Sequence, residues 1–235
     1  MAGPLLPARF VARTNRFLTV IELAGRRVEA HLPDPGRLRE LLTPGARVWA
    51  RAAASEARRT RYTLILVAAP SGELVSLVTT YANDLVERAL AAGRLGELAG
   101  WRIERREHGW GCSRFDFLLG SDGGDERMLL EVKSVTLVEG RCALFPDAVT
   151  RRGARHVREL ARSIEDGYRA TVLFVVQRAD AASVTAARSI DPVFANALAE
   201  ARDRGVRLLG YRCRVTTAEA QLTEPIPVHV GAPTA

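Results

Sequence analysis

Residues 113–137 read SRFDFLLGSDGGDERMLLEVKSVTL. Two apolar runs rich in β-formers, 114–119 and 128–137, flank a break of Gly, Ser and Asp, the pattern of two antiparallel strands joined by a hairpin loop. Each run carries one carboxylate, Asp116 in the first and Glu131 in the second, and Lys133 follows Glu131 by two residues. Side chains at i and i+2 of a strand share a face, so Glu131 and Lys133 project the same way, and hairpin pairing can bring Asp116 beside them. Charges inside otherwise apolar strands are costly unless they have a partner or a task.

Lys133 is the only lysine, against 33 arginines. Coding bias explains arginine at indifferent surface positions, and a lysine that survives such bias is needed as a compact ammonium. D-x14-E-x-K on paired strands suits phosphodiester hydrolysis. A divalent cation such as Mg2+ (or Mn2+) takes hard oxygen ligands and keeps several waters, so two carboxylates suffice. The expected ligands are Asp116, Glu131 and the carbonyl of Val132, with Lys133 orienting the attacking water or stabilising the phosphate.

A helix expected over 150–166 follows. Val157, Leu160, Ala161 and Ile164 form one face, Arg151, Arg155, Arg158 and Arg162 the opposite one, and Arg152, His156 and Glu159 the boundary. A boundary position can look into the site, so Arg152 and His156 are candidate supporting residues, together with Arg114 and, as a possible third carboxylate, Glu87. The Arg stripe suits solvent or a phosphate backbone.

The net charge is +7 and unevenly placed: residues 1–80 hold 12 Arg against 6 acids, whereas 81–235 are nearly balanced. A concentrated cationic surface favours a polyanion through counterion release. Arg9, Arg13, Arg16 and Arg37 in the first third, with Arg151 and Arg155, are therefore the expected nucleic-acid contacts. No apolar run approaches the roughly 20 residues of a membrane-spanning helix. The first residues lack a charged segment followed by an apolar one, and the three cysteines form no C-x-x-C pair. A cytoplasmic protein with no membrane partner, disulfide framework or zinc site is expected. Oligomeric state is left open, a homodimer included.

Residues 8–80 read as five or six short strands with one helical piece at 38–42 and an Arg- and Ala-rich loop after residue 52, which suggests a small OB-like barrel. From 81 onward the pattern is a helix capped by Asn83, the two acidic strands, the helix over 150–166, a strand over 171–177, a helix opened by Asp191-Pro192 and a strand over 206–211. That order gives a mixed α/β sheet covered on both faces. The Pro-rich tail after Thr223 is expected to be loose. The domains are 1–80, a basic nucleic-acid grip, and 81–235, the sheet.

Three further stretches join the hairpin in resembling a known family: Phe145-Pro146-Asp147-Ala148-Val149-Thr150-Arg151-Arg152-Gly153-x-x-His156, His31-Leu32-Pro33-Asp34-Pro35-Gly36-Arg37 and Leu41-Leu42-x-Pro44-Gly45. With Ser113-Arg114-Phe115-Asp116-Phe117-Leu118-Leu119 and Glu131-Val132-Lys133-Ser134-Val135-Thr136-Leu137, they resemble the sugar fermentation stimulation proteins over nearly the whole chain. The resemblance implies an N-terminal OB-like barrel joined to a restriction-endonuclease-like domain of the PD-(D/E)xK class. It also implies DNA binding with little sequence preference, and assigns Asp116, Glu131 and Lys133 the ligand, ligand and lysine roles. Two functions follow from it: a metal-dependent nuclease, or a non-catalytic DNA-binding factor that affects sugar (maltose) metabolism. The chain departs from the family at Asp34-Pro35-Gly36, where Asn-Thr-Gly is usual, and an added carboxylate there opposes a phosphate contact.

Overall fold

The computed structural model describes residues 3–53 and 59–231, so most of the Arg- and Ala-rich loop lies outside the described residues. The first six strands are β1 (Leu6–Asn15), β2 (Leu18–Leu23), β3 (Arg26–His31), β4 (Arg47–Ala52), β5 (Tyr62–Ala68) and β6 (Leu74–Ser76). They pair in the order β3-β2-β1-β4-β5-β6, and a parallel β3–β5 contact closes the first five into the OB-like barrel. Phe10, Ile21, Leu32, Val48, Leu64 and Val67 fill its interior. The expected helical piece at 38–42 is a single turn instead, with Leu42 N–H donating to the Leu38 carbonyl (2.8 Å). Leu38 has φ +51°, a conformation that cannot start a right-handed helix, and Pro44-Gly45 ends the turn within one winding.

Next come α1 (Tyr81–Ala91), β7 (Trp101–Trp110), β8 (Ser113–Ser121), β9 (Arg127–Val135), β10 (Val138–Glu139), β11 (Cys142–Phe145), α2 (Arg151–Ser163), β12 (Arg169–Val176), β13 (Ser183–Ala186), α3 (Pro192–Asp203), β14 (Arg207–Val215), β15 (Ala220–Ile226) and β16 (Val228–His229). Six of these strands form a mixed sheet in the order β15-β14-β12-β9-β8-β7, and β10, β11, β13 and β16 form a smaller one. The central strands β9, β12 and β14 are parallel and apolar on both faces, as strands covered by helices must be. The described residues thus make an OB barrel followed by a restriction-endonuclease-like mixed-sheet domain.

Two further expectations fail. The tail after Thr223 is paired as far as it is described, to residue 231: β15 pairs with β14 and β16 with β13, and Ile226 is buried in the main core. Asn83 does not cap α1, which starts at Tyr81 with Thr80 in the capping position, and so lies inside the first turn.

Barrel and sheet are joined by specific bonds. Ser76 N–H donates to the Gln177 carbonyl (3.2 Å), and the Gln177 amide donates to Val78 O (3.1 Å) and to Ser134 Oγ (2.9 Å), one residue from Lys133. On the other flank, Arg37 N–H donates to Asp147 Oδ2 (2.7 Å). Gly36 packs so closely there that an added Cβ would lie 2.1 Å from the same oxygen.

Candidate metal and phosphate site

The β8–β9 register pairs Phe117 with Leu130 and is the last rung before the two strands part. Beyond it the Asp116 side chain replaces the backbone ladder: Val132 N–H donates to its Oδ2 (2.7 Å), and the Asn83 amide donates to its Oδ1 (2.7 Å). Asn83 was missed as a site residue because an Asn at a helix start reads first as a cap. The helix it sits in carries its amide to the strand.

Glu131 is 4% exposed. Its Oε1 receives both Lys133 Nζ (2.6 Å) and His156 Nδ1 (2.8 Å), whereas its Oε2 is buried with no partner among the described residues. Arg152 Nε donates to His156 Nε2 (3.2 Å). A guanidinium can only donate, so Nε2 accepts, and the ring proton sits on Nδ1 and points at Glu131. Phe115 packs edge-on against the imidazole at 5.8 Å and holds the ring plane.

Electrostatics separate the two carboxylates. Burial raises the Asp116 carboxyl to about 6, the charge of Glu131 adds to the rise, and the bonds from Val132 and Asn83 and the Lys133 ammonium oppose it. Burial alone would raise Glu131 as well. There the Lys133 charge, with the hydrogen bonds from His156 and Lys133, outweighs it and holds that carboxyl below its ordinary range. An ionised Glu131 beside a reluctant Asp116, with Glu131 Oε2 unpartnered among the described residues, is a donor set that a further positive charge would complete. The described residues contain no cluster of three or more His, Cys, Asp and Glu side chains that could cage a metal. Two carboxylates and a backbone carbonyl nevertheless fit a hard cation that retains water.

Both carboxylates, Val132 and Lys133 line a cleft of about 550 Å³ between barrel and sheet, together with Arg16, Asp34, Asp147 and Arg152. Of the supporting candidates, Arg152 and His156 join the site through Glu131. Arg114 pairs with Glu107 (2.7 Å) on the surface, and Glu87 pairs with Arg106 (2.6 Å) outside the cleft lining.

The expected nucleic-acid contacts divide. Arg9 donates to the Gly45 carbonyl (2.9 Å), and Arg16 Nε donates to the Pro35 carbonyl (3.2 Å). Arg13 donates to the carbonyls of Gly36 (2.6 Å), Arg37 (2.8 Å) and Arg16 (2.8 Å), so it ties down the 34–37 loop from inside. The side chains of Arg37, Arg151 and Arg155 are exposed and have no hydrogen bond or ion pair among the described residues. Asp34 accepts Gly36 N–H (2.8 Å) within its own loop, and burial, with the nearby Asp147 charge, raises its carboxyl to about 6. No helix among the described residues is long and apolar enough to cross a membrane.

Comparison with known proteins agrees with this architecture. Residues 80–219 match the model described as "Sugar fermentation stimulation protein RE domain", and residues 11–77 match "SfsA N-terminal OB domain". A "Sugar fermentation stimulation protein homolog" of Shouchella clausii is 48% identical over 97% of this chain and 98% of its own length. That of Moorella thermoacetica is 43% identical over 95% and 96%. The structure of Pyrococcus furiosus SfsA, solved in complex with Ca2+, superposes with a TM-score of 0.89 at 30% identity and covers 97% of each chain. The chain belongs to the sugar fermentation stimulation protein family.

Proposed function

We propose that this protein binds DNA with little sequence preference and hydrolyses phosphodiesters at Asp116, Glu131 and Lys133 with Mg2+ or Mn2+. The observation that carries the reading is Glu131 Oε2, a buried, unpartnered carboxylate oxygen beside a second, half-buried carboxyl. An unpartnered anionic oxygen in a dry site costs several kcal/mol in principle and calls for a cation. Asp116, Glu131 and the Val132 carbonyl would hold it, and Ca2+ in the Pyrococcus furiosus relative is a hard ion of the same oxygen-seeking kind. When bound, such an ion offsets charge developing on the phosphate and lowers the pKa of water.

The chain's own residues do the rest. Asn83 and Val132 N–H fix the Asp116 carboxylate, and His156 and Lys133 fix one oxygen of Glu131 and leave the other without a partner among the described residues. Lys133 brings a compact positive charge to the phosphate and orients the attacking water.

The test is nicking of supercoiled DNA in Mg2+ or Mn2+ beside Asp116→Asn and Lys133→Ala variants, with gel retardation in parallel. Metal-dependent nicking that both variants lose is expected. Retardation with no nicking in any of the proteins, or equal nicking in all, would sink the catalytic reading and leave a DNA-binding factor.

A further inference from the structure

Arg152 stands between two clefts. On one side is the cleft that holds Asp116 and Glu131. On the other side, the turn at 111–114 and the first two turns of α2 enclose a second cleft of about 430 Å³, lined by Ser113, Arg114, Arg152, Arg155 and His156. Arg152 lines both.

The second cleft is cationic and lined by no carboxylate. Glu159 stands behind Gly111 and outside the lining, and the Arg114 charge is offset by Glu107. Arg155 is exposed and unpaired among the described residues, and the Arg152 guanidinium gives only its Nε to His156. Ser113 is 7% exposed, yet its hydroxyl has no hydrogen-bond partner among the described residues. A buried donor left unpartnered is relieved by an incoming acceptor, and a rotamer change lets the hydroxyl turn towards one. Two guanidiniums and a hydroxyl, with no carboxylate in the lining itself, fit a phosphate, which offers acceptors and negative charge and no donor.

The surface continues in one direction. Arg158 and Arg162 extend the exposed face of α2 beyond Arg155, also unpaired among the described residues. At about 1.5 Å per residue, Arg155 and Arg162 stand about 10 Å apart along the axis, the rise of about three nucleotides. We propose that the cleft between the 111–114 turn and α2 is a subsite for the phosphate next to the reacting one, and that the strand leaves the site along α2. The subsite rests on the nucleic-acid reading above and gives α2, whose Arg151 and Arg155 stood among the expected contacts beside the barrel arginines, a defined part of the grip. Because Arg152 faces both clefts, an occupied subsite also fixes the residue that orients His156 on Glu131.

The experiment measures binding of short DNA oligonucleotides, with and without a 5′-phosphate, against NaCl concentration for four proteins: the unaltered chain, Arg155→Ala, Ser113→Ala and Arg169→Ala. Arg169 lies at the start of β12, opposite Met128 and distant along the strands from Lys133, and serves as the control. Arg155→Ala is expected to flatten the log–log salt slope by about 0.7–0.9, one phosphate contact. Ser113→Ala is expected to weaken binding several-fold with the slope unchanged, and Arg169→Ala to change neither. A loss in Arg155→Ala confined to the phosphorylated oligonucleotide assigns the subsite to a strand end, and an equal loss on both assigns it to an internal phosphodiester. An unaltered slope in Arg155→Ala, or unaltered affinity in Ser113→Ala, overturns the subsite while DNA binding by the parent chain stands. No binding by the parent chain at any salt concentration overturns the nucleic-acid reading itself.

Discussion

Asp34 and Asp116 face the same cleft from opposite domains, and burial pushes both carboxyls to about 6, yet their surroundings differ. Asp34 is closed by its own loop: it accepts Gly36 N–H, while Arg13 ties the Gly36 and Arg37 carbonyls that follow it. Asp116 is held by two other elements, α1 and β9, and its neighbour Glu131 keeps one oxygen unpartnered. The same side chain, raised in the same direction, is a turn component in one case and half of a candidate cation site in the other. A raised pKa therefore marks burial, and what surrounds the group decides whether it can do chemistry.

The largest test of that contrast is Asp116→Asn. Nicking and Ca2+ or Mn2+ binding by calorimetry are expected to fall by more than about 100-fold, beyond the roughly 10–100-fold usual for partners that only orient a ligand. In chelator at pH 7–8, the same variant is expected to unfold later than the parent chain, because it removes a carboxylate whose ionisation burial opposes. Lower stability in chelator would show that the ionised form is not strained.

His156→Ala comes next, with metal affinity expected to drop about 10–100-fold and His156→Gln recovering part of it, since an amide can still donate to Glu131. Equal affinity in all three proteins would remove the orienting role of the Arg152–His156 pair.

Asp34→Asn sharpens the other half. The folded-state pKa of Asp34 is raised from 3.8 to about 6, so the folded state holds its proton more tightly. The stability this contributes is complete below pH 4 and is lost as pH rises through 6. The Asn variant keeps the acceptor and has no charge to bury, so it is expected to be about 1–3 kcal/mol more stable at pH 7, with the gain gone by pH 4. Denaturant midpoints at both pH values check this, and a gain that persists at pH 4 would refute it. The smallest effect is expected from Arg13→Ala: about 1–2 kcal/mol of stability lost with its hydrogen bonds to the 34–37 loop, and an unchanged salt slope for DNA.

The hairpin was legible in the sequence because two carboxylates and the sole lysine stand in apolar strands, where charge without purpose is expensive. His156 was legible as a border residue of α2, but its direct bond to Glu131 depends on how the helix lies on β8 and β9. Arg13 shows what charge alone does not reveal: it bonds carbonyls more than 20 residues away, which no spacing predicts. The edge strand β7 escaped for a related reason: its run of Arg, Glu and His protects a sheet edge and carries no apolar alternation. The tail after Thr223 was misjudged because Pro225 and Pro227 looked like breakers, whereas β15 is an edge strand, where proline is tolerated.

Gly36 ties the two halves of the molecule into one inheritance. Its missing side chain is the space that the Asp147 carboxylate occupies while it accepts Arg37 N–H, so residues 36 and 147 can change only together. A chimera that takes its barrel from one relative and its sheet from another should assemble only when that pair travels as a unit.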